Sequence, residues 1–239
     1  MDTPVFESPV AGILKRNYNV MSFRFSVHPG LGFRAGQFLQ VTLPVSGADQ
    51  SKYFSFSNAP TEKGYIEFTK KMTGSEFSRA LESLRVGDKV KIKMPMGSFV
   101  LDETVPKQAF LSGGIGITPI RSILKDAFDR QLPGNRVLFY SNRSPEDIVF
   151  REDLEDMAKN WKDLKLVFSL DTAEACPLDW KGKCGFINAD MIREELPDYA
   201  ERIFYVCGPP VMVKSLVSIL QDQMKVPAAR IKIENFAGY

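Results

Sequence analysis

The chain has 239 residues, comfortable for two domains, with 44% hydrophobic and 25% charged residues, the balance of an ordinary globular protein. A formal charge of +2 is too small to steer the whole protein to nucleic acid. No apolar stretch is long enough to span a bilayer: the longest, Val206 to Leu220, is broken by Gly208-Pro209-Pro210 and carries Lys214. Met1-Asp2-Thr3-Pro4 opens on an acid with no apolar run, so no secretory leader is expected. The first hundred or so residues read as short strands, Val10 to Tyr18, Met21 to Val27, Gln37 to Leu43, Tyr65 to Lys71 and Lys89 to Met94, punctuated by Gly and Pro. That spacing predicts an antiparallel Greek-key β-barrel. One helix interrupts it after Gly74, with Phe77, Leu81 and Leu84 on one face.

From about Lys107 the pattern becomes strand–helix alternation. Strands are expected at Ala109 to Ser112, Arg136 to Tyr140, Leu164 to Leu170, Ile203 to Cys207 and Ile231 to Phe236. Helices are expected at Pro119 to Arg130, Arg151 to Asn160, Asn188 to Glu195 and Val211 to Met224. This predicts a C-terminal α/β domain with a parallel sheet, and a division into residues 1–103 and 104–239. The three cysteines, Cys176, Cys184 and Cys207, are an odd, sparse set, which predicts reduced thiols and a cytoplasmic protein. Cys176 and Cys184 lack metal-ligand spacing, and the one histidine, His28, precedes Pro29 in a turn. No metal site is expected.

Four stretches carry chemistry. Gly113-Gly114-Ile115-Gly116-Ile117-Thr118-Pro119 follows a strand and opens a helix. Glycines permit a sharp turn and close approach of a ligand, and the helix start offers free N–H groups to a pyrophosphate. Thr118 is placed to cap, and Pro119 suits the first turn. Cys207-Gly208-Pro209-Pro210 follows another strand; in an open parallel sheet both loops face the same crevice. Lys52-Tyr53-Phe54-Ser55-Phe56-Ser57 combines a cation, aromatics and hydroxyls. Strand alternation puts Lys52 with Phe54, and Ser55 with Ser57. Gly74-Ser75-Glu76-Phe77-Ser78 is either a second phosphate site or a plain capped helix.

These motifs, in this order and over essentially the whole length, resemble the ferredoxin–NADP reductase superfamily. The resemblance implies bound FAD. Lys52 would meet the flavin phosphate, the Phe54 ring would face the flavin, and Ser55 would lie near its N5. Tyr53, Phe56, Ser57, Thr69 and Lys70 would complete that side, and Gly74 to Ser78 would hold the pyrophosphate. Lys52 and Phe54 stand where the family usually has Arg and Tyr. On the other side Gly113, Gly114, Gly116, Thr118 and Pro119 would form the nucleotide loop. Cys207, Gly208, Pro209, Pro210 and Met212 would sit beside the nicotinamide. Tyr239 or Phe236 would cover the flavin, unless the tail is frayed. The set of three cysteines rules out a four-cysteine iron–sulfur module within this sequence.

The implied activity is hydride transfer between NAD(P)H and FAD, with Ser55 and Cys207 orienting the rings, and onward transfer to a protein acceptor such as ferredoxin, flavodoxin, a cytochrome or an oxygenase component. Alternatives are a free-flavin reductase, an electron-transfer subunit of a larger complex and a non-catalytic nucleotide sensor. A monomer is expected. NADH is the expected nucleotide: relatives using NADPH often have a Ser-Arg pair after the third strand, whereas Ser169 is followed here by Leu170 and Asp171. Arg143 opposes this, reaching either a phosphate or solvent.

Overall fold

The computed structural model describes residues 3–27, 30–172, 174 and 176–236, so His28 and Tyr239 lie outside the described residues. The chain divides into two compact units, Met1–Leu101 with Arg121–Arg130, and Asp102–Ile120 with Gln131–Tyr239.

The first unit is an antiparallel sheet of six strands: β1 Val5–Lys15, β2 Val20–Ser26, β3 Phe38–Val45, β4 Ala48–Ser55, β5 Tyr65–Lys71 and β6 Lys89–Met96. Their order is β4-β3-β6-β1-β2-β5. The connections from β2 to β3 and from β5 to β6 skip neighbours, as a Greek key requires. Alternation writes the inward face directly: Leu39, Val41, Leu43 and Val45 on β3, and Val90, Ile92 and Met94 on β6, are all buried. The two edge strands meet where Phe56 bridges Phe68 and the Ser57 N–H donates to the Glu67 carbonyl at 2.8 Å, so the sheet curls closed. Stacked phenylalanines fill it: Phe68 lies 5.2 Å from Phe23, 5.8 Å from Phe25 and 4.4 Å from Phe54, centroid to centroid. Helix α1, Glu76–Ser83, is capped by Ser75, whose hydroxyl accepts from the Ser78 N–H, and buries Phe77 and Leu81 on one face.

The second unit is a parallel sheet of β7 Lys107–Gly113, β8 Asn135–Asn142, β9 Leu164–Leu170, β10 Lys183–Cys184, β11 Ile203–Gly208 and β12 Ile231–Asn235. Strand order is β10-β9-β8-β7-β11-β12. Along the chain, helices α2 Ile117–Asp129, α3 Arg151–Asn160, α4 Ala189–Glu195 and α5 Pro210–Ser218 alternate with these strands, the part of α2 from Arg121 onward belonging to the first unit. The strands are near-continuous apolar runs because both faces are buried. Ala109, Leu111, Val137, Phe139, Phe204 and Val206 pack on one face with Ile192, Val213 and Leu216. The strand order reverses between β7 and β11, which makes their carboxyl ends the switch point of the sheet.

Three expectations are corrected. The helix read from Val211 to Met224 is α5 followed by a π-helical turn, Ile219–Gln223. Thr118 does not cap α2: a 3-10 turn, Gly114–Gly116, precedes the helix, and the Thr118 hydroxyl donates back to the Ile115 carbonyl at 3.2 Å. Cys176 and Cys184 are joined in a disulfide, leaving Cys207 as the free cysteine among the described residues. The cause is β10, a two-residue strand beside β9 that brings the loop back on itself. Spacing alone does not disclose such a return.

Candidate functional site

In the first unit, the strand from Lys52 to Ser57 separates residues that its sequence suggested would act together. Phe54 is 3% exposed and stacks on Phe68 in the barrel core, and the exposed ring on this strand is Tyr53, at 58%. Phe56 and Phe77 are likewise core residues. The Ser57 hydroxyl donates to the Glu67 carboxylate at 2.9 Å and accepts from Thr69 at 2.7 Å. Thr69 in turn shares a 2.6 Å hydrogen bond with Ser22. Ser57 and Thr69 are thus both hydrogen-bonded to protein partners. Glu67, 1% exposed, also accepts from Arg16 at 2.9 Å and Arg24 at 2.7 Å.

Ser55 is different. Its Oγ is buried and has no hydrogen-bond partner. A buried hydroxyl without a partner is costly, and a ligand atom that bonds it removes the cost. Burial, and then the neighbouring Lys52, push the Lys70 ammonium down to about 8. The Lys70 ammonium donates to the Lys71 carbonyl at 2.9 Å and feels the like charge of Lys52, and a phosphate would neutralise both. Gly74 and Glu76 are exposed at the start of α1, while Ser75 and Ser78 bond one another and Thr73. What that helix end still offers an anion is its backbone N–H groups. The orphaned Ser55 Oγ, the Lys52–Lys70 pair and this helix start fit a flavin dinucleotide.

In the second unit, Gly113 to Gly116 and Cys207 to Met212 come together at the switch point. Cys207 pairs in register with Ser112 of β7 and Glu234 of β12. A Cβ on Gly116 would lie 2.5 Å from the Cys207 carbonyl oxygen, and one on Gly113 would lie 2.1 Å from the Met212 sulfur. The backbone contact at Gly116 excludes any side chain there, whereas at Gly113 the flexible Met212 side chain would have to give way. The Tyr140 hydroxyl donates to the Gly114 carbonyl at 3.0 Å, which ties the turn to β8. Cys207 is 1% exposed, and burial, then Glu234, push its thiol well above the ordinary range. It stays a thiol at neutral pH and orients by contact rather than reacting as a thiolate. Burial pushes Glu234 up to about 7.

Thr118 and Pro119 are buried, and Pro209 and Pro210 are exposed at the start of α5. The Asp171 carboxylate accepts from Ser141 at 2.6 Å, and its N–H donates to the Asn142 carbonyl at 2.9 Å. Arg143 is exposed. The sequence reading missed Glu234 and Ser112; the buried Ser112 hydroxyl lacks a hydrogen-bond partner. Alternation places Glu234 on one face of β12, but only the parallel register puts it beside Cys207. Among the described residues, no cluster of three metal-ligating side chains forms.

Residues 10–101 match the family of oxidoreductase FAD-binding domains, and residues 110–218 that of oxidoreductase NAD-binding domains. NADH-cytochrome b5 reductase 1 of Bos taurus is 31% identical over 234 residues, covering 83% of this chain and 75% of that protein. The chain belongs to the ferredoxin reductase-like family of FAD- and NAD(P)-binding oxidoreductases. Within that family, it is 28% identical over 215 residues to the glycine betaine monooxygenase reductase subunit of Chromohalobacter salexigens, covering 88% of this chain but 58% of that protein. The chain thus spans little more than half the length of that relative. The cytochrome b5 reductase domain of Ulva prolifera nitrate reductase has the same fold, with a TM-score of 0.85 at 24% identity and 97% coverage of both chains. A ferredoxin NADP+ reductase from Neisseria gonorrhoeae, solved with FAD and NADP, gives a TM-score of 0.80 at 21% identity, covering 97% of this chain and 98% of that one. No helix among the described residues is long and apolar enough to cross a membrane.

Proposed function

We propose that this ferredoxin reductase-like chain oxidises NADH through a noncovalent FAD and passes the electrons to a redox protein. FAD belongs to residues 1–103 and the nucleotide to residues 104–239. The observation that carries the reading is the switch point, where Gly116 closes on the Cys207 carbonyl and leaves the glycine turn bare for a pyrophosphate. The flavin, when bound, accepts a hydride and releases electrons singly. The protein's part is to hold and orient: Ser55 Oγ offers a hydrogen bond to the ring system, Lys52 and Lys70 take the phosphates, and Cys207 packs by the nicotinamide.

FAD is favoured over FMN because the start of α1 supplies a second phosphate site. NADH is favoured over NADPH because Asp171, held by Ser141, repels a 2′-phosphate and suits a free 2′-hydroxyl. The Bos taurus relative, an NADH-cytochrome b5 reductase, agrees. A role as the reductase subunit of an oxygenase system is supported by similarity to the glycine betaine monooxygenase reductase subunits over 88% of this chain. We assign a cytoplasmic, monomeric protein that binds no nucleic acid. The disulfide removes the thiol-based argument for that compartment, and the need for a reduced nicotinamide pool supplies another. Chromatography of the released cofactor, followed by steady-state assays of both nucleotides against a panel of protein acceptors, tests the reading. FAD with a higher specificity constant for NADH is expected; FMN alone, or a preference for NADPH, contradicts it.

A further inference from the structure

We propose that the Cys176–Cys184 disulfide is a thiol-exchange site that sets how tightly the second unit grips NADH. The pair is built into the sheet edge that carries Asp171. β9 ends at Leu170, and the chain leaves through Asp171 and Thr172 and returns as β10, where Lys183 and Cys184 pair with Ser169 and Leu170. Directly beyond, the Gly185 N–H donates to the Leu170 carbonyl at 2.7 Å, and the Ser169 hydroxyl donates to the Gly185 carbonyl. Trp180 fills the turn, its indole N–H donating to the Lys183 carbonyl at 3.1 Å. Gly182 lies so close to β9 that a Cβ there would come within 2.6 Å of the Phe168 carbonyl and of the Trp180 ring.

The disulfide closes this return across a sequence separation of 8, with the Cα atoms 6.3 Å apart. β10 itself has two residues, so its backbone pairing is a weak tie. A cross-link restricts the open form of such a loop. Asp171 is held on its other side by Ser141 and Asn142. Reduction therefore loosens the return that pairs with Ser169 and Leu170, directly before Asp171, while Ser141 and Asn142 keep their hold on it.

Cys184 is exposed and Cys176 half-buried, so the bond is within reach of a small thiol or a dithiol protein. A thiolate attacks the Cys184 sulfur, the Cys176 sulfur leaves, and a second thiol resolves the mixed disulfide. The protein S–S bond is replaced by two Cys thiols, and the two reductant thiols end joined as a disulfide, with protons conserved. A low-molecular-weight disulfide drives the reverse. Cys207 is buried and takes no part.

This inference rests on the reading that Asp171 meets the adenosine ribose of NADH. The test compares whole, FAD-loaded protein treated with glutathione disulfide or with a phosphine reductant. Thiols counted after denaturation should be one in the oxidised form and three in the reduced form, since the chain has three cysteines and one is free. The KM for NADH should be about fivefold higher in the reduced form, with kcat and FAD content unchanged. Cys184→Ser should match the reduced form under both treatments. Equal KM values at different thiol counts overturn the proposal, as does failure of the disulfide to form. If neither form turns over NADH, the proposed activity fails on its own. Equilibrium binding of NADH to the two forms then still decides the disulfide's role, and equal or absent binding overturns it.

Discussion

Ser55 and Ser57 stand two residues apart, yet the structure gives them opposite duties. Ser55 Oγ is buried without a partner, whereas Ser57 bridges Glu67 and Thr69. Ser55→Ala is therefore expected to change stability by less than about 0.5 kcal/mol and to slow flavin reduction by about tenfold. Ser57→Ala leaves a buried carboxylate short of a donor and is expected to cost about 1–3 kcal/mol. Thermal unfolding of both variants separates the two duties, and equal destabilisation would refute the division. Glu234 sets a pH dependence. Burial raises it from 4.5 to about 7, so between those values the folded state holds a proton that the unfolded state has released. Its contribution is complete below the lower value and is lost as pH rises through the upper one. Glu234→Gln should remove that decline, which amounts to about 2 kcal/mol after allowance for its partial exposure. Unfolding curves taken below and above the window check this; a decline unchanged in the variant would assign it to another group.

The turn from β7 into α2 is specified by what it cannot hold. Gly116→Ala would drive a methyl against the Cys207 carbonyl, with 2.5 Å available. It is expected to cost about 1–3 kcal/mol and to weaken NADH binding while leaving FAD content intact; wild-type affinity would contradict the role given to this turn. Elements that repeat were legible in the sequence. Val90, Ile92 and Met94 announce β6, and the apolar strands of the second unit announce a parallel sheet, because local periodicity records which face is buried. What needed distant chain was not legible. The Phe56–Phe68 bridge that closes the barrel, and the return that joins Cys176 to Cys184, depend on residues whose meeting no local pattern encodes. The site was readable in the same measure. Glycine turns after strands pointed to Gly116 and Cys207. The motif Lys52 to Ser57 did not disclose that Phe54 faces the core or that Ser57 is already engaged, since both follow from packing against β5.

At the scale of the molecule, each unit is assembled around a different half of one chemistry. The first holds an orphaned hydroxyl, two lysines and a helix start. The second presents a bare glycine turn and a buried thiol at the point where its strand order reverses. Family matches over residues 10–101 and 110–218 follow the same division. The central claim is that electrons enter from NADH and reside on FAD. Anaerobic mixing of FAD-loaded protein with NADH, and separately with NADPH, while the oxidised flavin absorbance band is followed, tests it most directly. Bleaching by NADH is expected to be at least about tenfold faster than by NADPH, the margin a single carboxylate against a 2′-phosphate provides. A flavin that stays oxidised with both nucleotides would contradict it.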